Sequence, residues 1–490
     1  MNAPLHHELP PPLLDAAQAR ARIDAQWDGD ILRQLTDYIA IPAKSPVFDP
    51  DWAAHGFIDA VVRQAAGWVE AQKVPGLTLE VVRLPGRTPV IFFEIPATRP
   101  GSTQTALLYG HLDKQPEFTG WRADLGPWTP KLEDGKLYGR GGADDGYAVY
   151  AAIAAVQALK AQQLLHPRLV GLIETSEESG SPDLLPYIDA LRPRLGDVGL
   201  VVCLDSGAGN YDQFWLTTSL RGNITGELRV EVLTEGVHSG DASGLVPSSF
   251  RILRQVLERL EDSATGRLLP PELHCDVPPE RVAQARATAA ILGDDLFRRF
   301  PWVHYDCGGT AQSVLPMTGD AVDALLARTW RPTLSVTGAE GLPPLREAGN
   351  VLRPYTAFKL SLRLPPLVDA AQAVQQLKAL LEDNAPSQAR VTFDSLGAAT
   401  GWNAPDAAPW FAQALDVASR AHFNAPCGYI GQGGTIPLMN QLSQGFPTSQ
   451  MMVCGVLGPR SNAHGPNEFL HLSYAKRLTA AVAEVIARMP

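Results

Sequence analysis

Apolar runs that alternate with helical segments, and that end in acidic residues or histidines, constrain the fold of this chain more than any other feature. Three of these runs, at residues 105–109, 169–173 and 200–204, precede His111-Leu112-Asp113, Glu177-Glu178 and Asp205. Short apolar runs separated by helical patterns are typical of a mostly parallel sheet covered by helices. Ligands bind beyond the carboxyl ends of strands in such sheets, so we expect the polar residues to meet there.

Two further segments add polar groups to this prediction. Asp144 and Asp145 precede the helical pattern at residues 147–163, and His464 follows the apolar run at residues 451–457. Adjacent aspartates repel each other unless a cation or protons relieve the repulsion. The alternative is that Asp145 caps the helix and satisfies its free backbone N–H groups. The sequence leaves room for both roles, one for each aspartate.

The side chains collected in this way have the chemistry of a metal site. Taken alone, His111-Leu112-Asp113 equally suits a salt-bridged strand end, and Glu177-Glu178 a solvated loop. Together, two imidazoles and three carboxylates, one of them bridging, predict a pair of divalent ions. Zinc is the first choice for these donors, and manganese or cobalt are alternatives. The predicted ligands are His111, Asp144, Glu178, Asp205 and His464.

Composition excludes several classes of function. The chain has 490 residues, a net charge of −11 and a sequence pI near 5.5, without a dense basic block, which argues against binding to nucleic acid or anionic lipid. No secretory signal is visible near Met1, and the apolar stretch 148–159 is too short to span a bilayer. Five cysteines without CxxC spacing favour reduced thiols in a cytoplasm. We expect a cytoplasmic protein with a small-molecule substrate.

The pattern changes after residue 216. Polar and apolar residues alternate at residues 225–232 and 357–364, and the pattern is helical at residues 248–260 and 370–382. Alternation predicts strands with one exposed face, so this part is expected to be a smaller α+β domain. We place it at residues 217–395, inserted between the two parts of an α/β domain at residues 1–216 and 396–490.

Five motifs resemble those of a known family. They are Tyr109-Gly110-His111-Leu112-Asp113, Gly139-Arg140-Gly141 before Asp144-Asp145, Glu177-Glu178-Ser179-Gly180-Ser181, Val237-His238-Ser239-Gly240 and Gly433-Gly434-Thr435-Ile436-Pro437. The chain is similar to the dinuclear zinc amidohydrolases, which include carnosinases and other dipeptidases, glutamate carboxypeptidases, aminoacylases and deacylases of arginine and lysine synthesis. The resemblance is to the dipeptidase branch, and it implies a zinc-exopeptidase α/β domain with an inserted lid and dimerisation domain.

The resemblance also implies a role for each site residue. His111, Asp144 and Asp205 would bind one zinc ion, and Asp144, Glu178 and His464 the other. Glu177 would be the general base and then the acid, and Asp113 would orient His111. His238 would stabilise the oxyanion in the partner subunit of a homodimer. A plain turn histidine is the alternative for His238.

The substrate is less closely constrained by the motifs. Arg353, in Asn350-Val351-Leu352-Arg353, stands where the family often has a lid arginine for a substrate carboxylate, although a surface arginine is the alternative. Gln432, Gly433, Gly434 and Thr435 are expected to line the pocket together with Asn350 and Arg353. Gly431-Gln432 replaces the usual Arg-Glu, and Gln432 cannot neutralise an ammonium group. This departure puts strict recognition of a free amino terminus in doubt.

The predicted function is hydrolysis of the amide bond of a dipeptide or short peptide by a dinuclear metal site with Glu177 as the base. An amidohydrolase of the same fold that acts on N-acyl amino acids is the close alternative. Two others are a metal-free binding protein and a protein with a single structural zinc ion.

Overall fold

The chain forms two units in a computed structural model that describes residues 10, 13–434 and 437–490. The first unit comprises Met1–Thr217, Ala404–Ile430 and Gln441–Pro490, and the second comprises Thr218–Asn403 and Gly431–Asn440. The second unit is therefore an insertion, to which a short segment near the end of the chain returns.

A six-stranded sheet forms the centre of the first unit. Its order is Thr78–Val82, Val90–Ile95, Arg168–Glu174, Gln104–His111, Asp197–Cys203 and Gln450–Val453. The last four strands are parallel, and the first two are antiparallel to their neighbours. The central strands are almost wholly buried, because helices cover a parallel sheet on its faces. The prediction of a mostly parallel sheet is confirmed.

The first unit contains several helices, of which Ala148–Ala161 confirms the helix predicted at residues 147–163. They are Ala16–Gln26, Leu32–Ile39, Trp52–His55, Phe57–Ala71, Ala148–Ala161, Leu184–Leu195, Pro409–Phe423 and Leu472–Arg488. The Ala-rich helix Ala148–Ala161 packs against Leu472–Arg488, and small side chains allow this close approach. A second sheet of short strands contains Phe469–His471, Lys136–Tyr138 and Lys131–Glu133. None of the helices in the described part of the chain is long and apolar enough to cross a membrane.

The second unit contains a four-stranded antiparallel sheet with the order Thr333–Glu340, Tyr355–Leu364, Gly222–Glu231 and Arg390–Ala399. Burial alternates along Gly222–Glu231, as the sequence predicted for a strand with one exposed face. The buried face packs with the helices Ser249–Leu257 and Ala370–Glu382 around Leu228, Leu253 and Leu377. The strand Arg390–Ala399 extends past residue 395, the predicted end of the insertion.

The remaining elements of the second unit have weaker sequence signals. They are the helices Ser239–Ala242, Pro279–Leu292, Asp295–Arg298 and Ala321–Thr329, and the strands Val237–His238, His304–Cys307, Thr310–Ser313, Val351–Leu352 and Trp402–Asn403. The chain passes from one unit to the other at four points, one directly after the strand Trp402–Asn403 and the other three within Trp215–Leu220, Gly428–Gln432 and Pro437–Gly445.

Gly171 offers a test of packing in the central sheet. It is paired with Phe93 on the neighbouring strand, and a Cβ added to Gly171 would lie 1.9 Å from Phe93 Cε1. We expect Gly171→Ala to lower the free energy of unfolding by about 1–3 kcal/mol, because the aromatic ring must shift within a filled core. Chemical denaturation measures the loss.

Gly67→Ala is the matched control for Gly171→Ala. Gly67 lies within the helix Phe57–Ala71, and no atom lies within 4 Å of its added Cβ. Alanine is preferred to glycine in a helix, so this change is expected to stabilise by about 0.5–1 kcal/mol. Equal effects of the two substitutions would contradict the packing argument.

Candidate metal centre

The predicted ligands lie at the carboxyl ends of neighbouring parallel strands and in the loops beside them. His111 ends the strand Gln104–His111, Glu178 lies in the short 3₁₀ turn Glu177–Ser179, and Asp205 follows the strand Asp197–Cys203. Asp144 lies in the turn Gly142–Gly146, just before the helix Ala148–Ala161. The first unit therefore supplies all of them.

Two details differ from the sequence prediction. Asp145 does not cap the following helix, which begins at Ala148 without a side-chain cap, because the backbone at Asp144 and Asp145 leaves the helical conformation. The run at 451–457 is a strand only as far as Val453. His464 lies in the loop that follows, at a φ of +64°, so the backbone of this loop and not a strand end positions its imidazole.

Asp144 lies between two groups of potential ligands. Its Oδ1 is 3.4 Å from His111 Nε2, and its Oδ2 is 3.0 Å from His464 Nε2. His111 Nε2 is also 3.8 Å from Asp205 Oδ2, and His464 Nε2 is 3.3 Å from Glu178 Oε2. In each group, His111 with Asp144 and Asp205, or Asp144 with Glu178 and His464, the donor atoms lie within 4.8 Å of one another.

Asp113 organises the opposite side of the site. Its two carboxylate oxygens accept hydrogen bonds from the backbone N–H groups of Glu177 and Glu178, at 3.1 and 3.0 Å. His111 Nδ1 lies 3.1 Å from the main-chain oxygen of Asp113 and 3.4 Å from its carboxylate. A carbonyl acceptor at Nδ1 leaves Nε2 free to act as a donor atom toward a metal. Gln115 Nε2 also donates to Glu178 Oε2.

The carboxylates of the site carry strongly shifted pKa values. Burial raises the pKa of Asp205 to about 7, and the charge of Asp144 adds to the effect. Burial likewise raises the pKa of Glu177, with Asp205 adding repulsion, and that of Glu178, with Asp144 adding repulsion. Burial opposes ionisation of Asp144 as well, but the neighbouring His111 and His464 outweigh it and lower the pKa. Without a cation, these carboxylates cannot all be ionised together at low cost.

These residues fit two divalent cations. Within the described chain, His111 Nε2 and Glu178 Oε1 are buried and have no hydrogen-bond partner. A buried polar atom without a partner is costly, and a cation would satisfy both atoms as well as the clustered carboxylates. Imidazole nitrogens and carboxylate oxygens are the donors that zinc uses when no thiolate is present.

A buried ion pair next to the site was not found from the sequence. Arg140 is 1% exposed, its Nη1 donates to Glu468 Oε2, and its Nη2 donates to the main-chain oxygens of His464 and Gly465 at 3.0 and 2.9 Å. Glu468 Oε1 accepts from Gly141 N at 2.9 Å. The pair thus joins the His464 loop to the loop that carries Asp144. Opposite charges beside two ligand motifs were the only signal for it in the sequence.

Breaking this pair should destabilise the first unit. Glu468→Gln leaves the buried Arg140 guanidinium without its carboxylate, so we expect the free energy of unfolding to fall by about 3–5 kcal/mol. Asp124→Asn is the control, because Asp124 contacts Arg122 and Lys131 at the surface, where water screens the charges. A fall no larger for Glu468→Gln than for Asp124→Asn would refute this role.

Three other predicted site residues lie together in the second unit. His238 ends the strand Val237–His238, which pairs with Val351–Leu352, so that His238 lies opposite Val351. The backbone N–H of Ser239 donates to the Asn350 carbonyl at 2.9 Å, and Arg353 directly follows the second strand. His238 and Asn350 are exposed and Arg353 is half-buried.

The glycine-rich segment also belongs to the second unit. Arg221 Nε donates to the Gly433 carbonyl at 3.1 Å, and the backbone N–H of Arg221 donates to the Gln432 carbonyl at 3.4 Å. Gly434 is exposed, and Thr435 lies outside the described residues. A Cβ added to Gly431 would lie 2.7 Å from Ser219 Oγ, so no larger side chain fits there without a shift. Glycine at position 431, where the family resemblance leads us to expect arginine, therefore suits the tight packing around this position.

Known proteins resemble this chain over most of its length. The cysteinylglycine-S-conjugate dipeptidase of Corynebacterium striatum is 27% identical over 434 residues, which cover 86% of this chain and 89% of the relative. A Cys-Gly metallodipeptidase of Saccharomyces cerevisiae is 28% identical over 392 residues and 76% of each chain. The crystal structure of human carnosine dipeptidase 1 superimposes with a TM-score of 0.76 at 23% identity, over 98% of this chain and 100% of that one.

The structural likeness confirms the fold class. The family model described as peptidase family M20/M25/M40 matches residues 107–488, which include every side chain of the two ligand groups. This chain belongs to peptidase family M20/M25/M40.

Proposed function

We propose that this chain is a metal-dependent dipeptidase whose first unit holds two divalent ions. The observation that carries the proposal is the position of the Asp144 carboxylate, with one oxygen near His111 and the other near His464. In the proposed arrangement His111, Asp144 and Asp205 hold one ion, and Asp144, Glu178 and His464 hold the other. The dipeptidases among the relatives support this activity.

The donor set supports zinc as the metal. Three carboxylates and two imidazoles also accept manganese or cobalt, and elemental analysis of the purified protein distinguishes these metals from zinc. When bound, the ions polarise the substrate carbonyl and activate a water molecule for attack.

Glu177 is the proposed proton carrier. Burial and the nearby Asp205 raise the pKa of its carboxyl group, which makes it a better acceptor for the proton of the attacking water. The same carboxyl group then delivers that proton to the leaving nitrogen. Asp113 positions Glu177 by accepting a hydrogen bond from its backbone N–H.

The second unit is proposed to be a lid and dimerisation domain that supplies His238 to the partner subunit. His238, Asn350 and Arg353 are grouped around one small sheet, and the exposure of His238 and Asn350 supports a role toward another molecule. His238 would stabilise the oxyanion, and Arg353 would bind a substrate carboxylate.

Mixing two inactive variants tests the role of the partner subunit. Glu177→Gln and His238→Ala homodimers should each be inactive, but subunit exchange should restore about a quarter of wild-type activity, because each mixed dimer contains one complete site. No recovery, although exchange is demonstrated by mass spectrometry, would show that His238 does not act across a dimer.

The substrate class is tested with two panels. Gly431 leaves no space for the arginine of related dipeptidases, and Gln432 cannot pair with an ammonium group, which favours N-acyl amino acids as a second candidate substrate. We expect the metal-loaded protein to release free amino acids from dipeptides. Activity on acylated amino acids alone would show that the protein is an amidohydrolase of N-acyl amino acids and not a dipeptidase.

A cytoplasmic location is proposed from the thiols. All five cysteines, Cys203, Cys275, Cys307, Cys427 and Cys454, are free, as expected for a reducing compartment. Fractionation of cells that express the full-length protein tests this location.

A further inference from the structure

The second unit contains a cavity of about 280 Å³. Its walls come from the helices Asp295–Arg298 and Ala321–Thr329 and from residues 300, 302 and 316–318, and the larger apolar side chains are Leu296, Phe297, Phe300, Trp302, Pro316 and Met317. The volume lies near the lower end of the range for small-molecule sites, roughly 300–1,000 Å³. None of the described residues that line it is acidic.

Two arginines also line this otherwise apolar cavity. Arg328 has an inaccessible Nε without a hydrogen-bond partner, and no ion pair to this side chain is found in the part of the chain that the structure describes. Burial lowers its pKa to about 10, and the nearby charge of Arg299 adds to the effect. Arg328 as a whole is half-buried, and its guanidinium group lacks the anion that normally accompanies a charge beside apolar walls.

Arg221 is the second guanidinium group at the cavity. Its Nε donates to Gly433 O at 3.1 Å and its Nη1 to Thr333 Oγ1 at 3.2 Å, which fixes its orientation. Burial lowers the pKa of Arg221 to about 9, and the charges of Arg363 and Arg328 lower it further. Positive charges are therefore concentrated beside apolar walls, where each charge raises the free-energy cost of keeping its neighbours ionised.

We propose that this cavity binds a small organic monocarboxylate with an aromatic or branched apolar body, its carboxylate on Arg328 and its body against Phe297, Phe300 and Trp302. Guanidinium binds carboxylate through paired hydrogen bonds, and the ligand supplies the missing anion. Apolar walls disfavour a strongly hydrated dianion such as phosphate. This site goes beyond the proposed function, because none of its residues belongs to the candidate metal centre.

Binding of 3-phenylpropionate to the chelator-treated full-length protein tests the proposal. Calorimetry should detect saturable binding, and the fluorescence of Trp302 should change on addition of the ligand. The neutral isostere 3-phenyl-1-propanol and the short anion acetate should each bind at least about tenfold more weakly. The alcohol lacks the carboxylate, and acetate lacks the apolar body. Binding should be the same in metal-loaded protein, which separates this site from the metal centre.

Four variants assign the binding to this cavity. Arg328→Met should weaken binding at least about tenfold and raise the melting temperature of the free protein, because an unpaired charge is removed. Arg298→Met, at an exposed arginine of the same unit, should leave binding unchanged. Trp302→Phe should remove the fluorescence change but keep calorimetric binding.

Ala327→Phe fills the cavity while it retains both arginines, so it decides the matter if Arg328→Met does not fold. It should abolish binding. No saturable binding to wild-type protein, binding that requires metal, or unchanged affinity in Arg328→Met or Ala327→Phe would each overturn the proposal.

Discussion

Glu177→Gln is expected to lower kcat/KM for dipeptides by about 10²–10⁴-fold while the protein keeps its metal. Glutamine has nearly the same shape, but its amide cannot accept and return a proton as a carboxylate does. The backbone N–H of residue 177 still donates to Asp113, so the fold around the ligands should persist. Steady-state kinetics and elemental analysis of the same preparation measure the two quantities.

Glu70→Gln is the matched control for this substitution. Glu70 is exposed on the helix Phe57–Ala71, and the same chemical change there should leave kinetics and metal content unaltered. Activity within a few-fold of wild type in Glu177→Gln would exclude Glu177 as the proton carrier. Loss of metal together with activity would instead identify it as a ligand.

Asp144→Asn is expected to remove both ions and all measurable activity. Asp144 is the residue shared by the two ligand groups, so its replacement weakens both sites at once. Changes to groups that merely orient ligands cost roughly 10–100-fold in metal affinity, and we expect a larger loss for a bridging ligand. The metal content measured by elemental analysis should fall from about two ions per chain to less than one.

The thermal stability of Asp144→Asn gives a second readout, measured without and with metal. In chelator-treated protein the variant should melt below wild type, because His111 and His464 favour the ionised form of Asp144 and asparagine loses those charge interactions. In excess metal the wild type should gain stability from binding and the variant should gain little. Asp51→Asn, at an exposed aspartate, should follow wild type in both states. Two tightly held ions in Asp144→Asn would contradict the bridging role.

Much of the first unit could be predicted because its signals are local. The buried strands Gln104–His111, Arg168–Glu174 and Asp197–Cys203 and the helix Ala148–Ala161 carry patterns that tertiary contacts do not override. The strand before His464 was predicted to extend to residue 457, but it ends at Val453. An apolar sequence does not reveal where pairing with a neighbouring strand stops.

The second unit was predicted less completely. Helix Pro279–Leu292 is evenly mixed in polarity and has few buried residues, so its periodicity is weak. The exposed hairpin His304–Cys307 and Thr310–Ser313 has no apolar face that would mark it. Helix Pro279–Leu292 packs against Ala321–Thr329, which lines the cavity with Arg328, and the sequence did not indicate this cavity.

The sequence by itself determined the alternation of strands and helices, the donor types and the family motifs, because these depend on residue identity and spacing. Only the tertiary structure decided that the two oxygens of Asp144 approach different histidines, and that Arg140 joins two loops through Glu468. It alone also revealed Arg328 beside an apolar cavity. These relations connect residues far apart in the chain, and the packing of the folded units sets such distances.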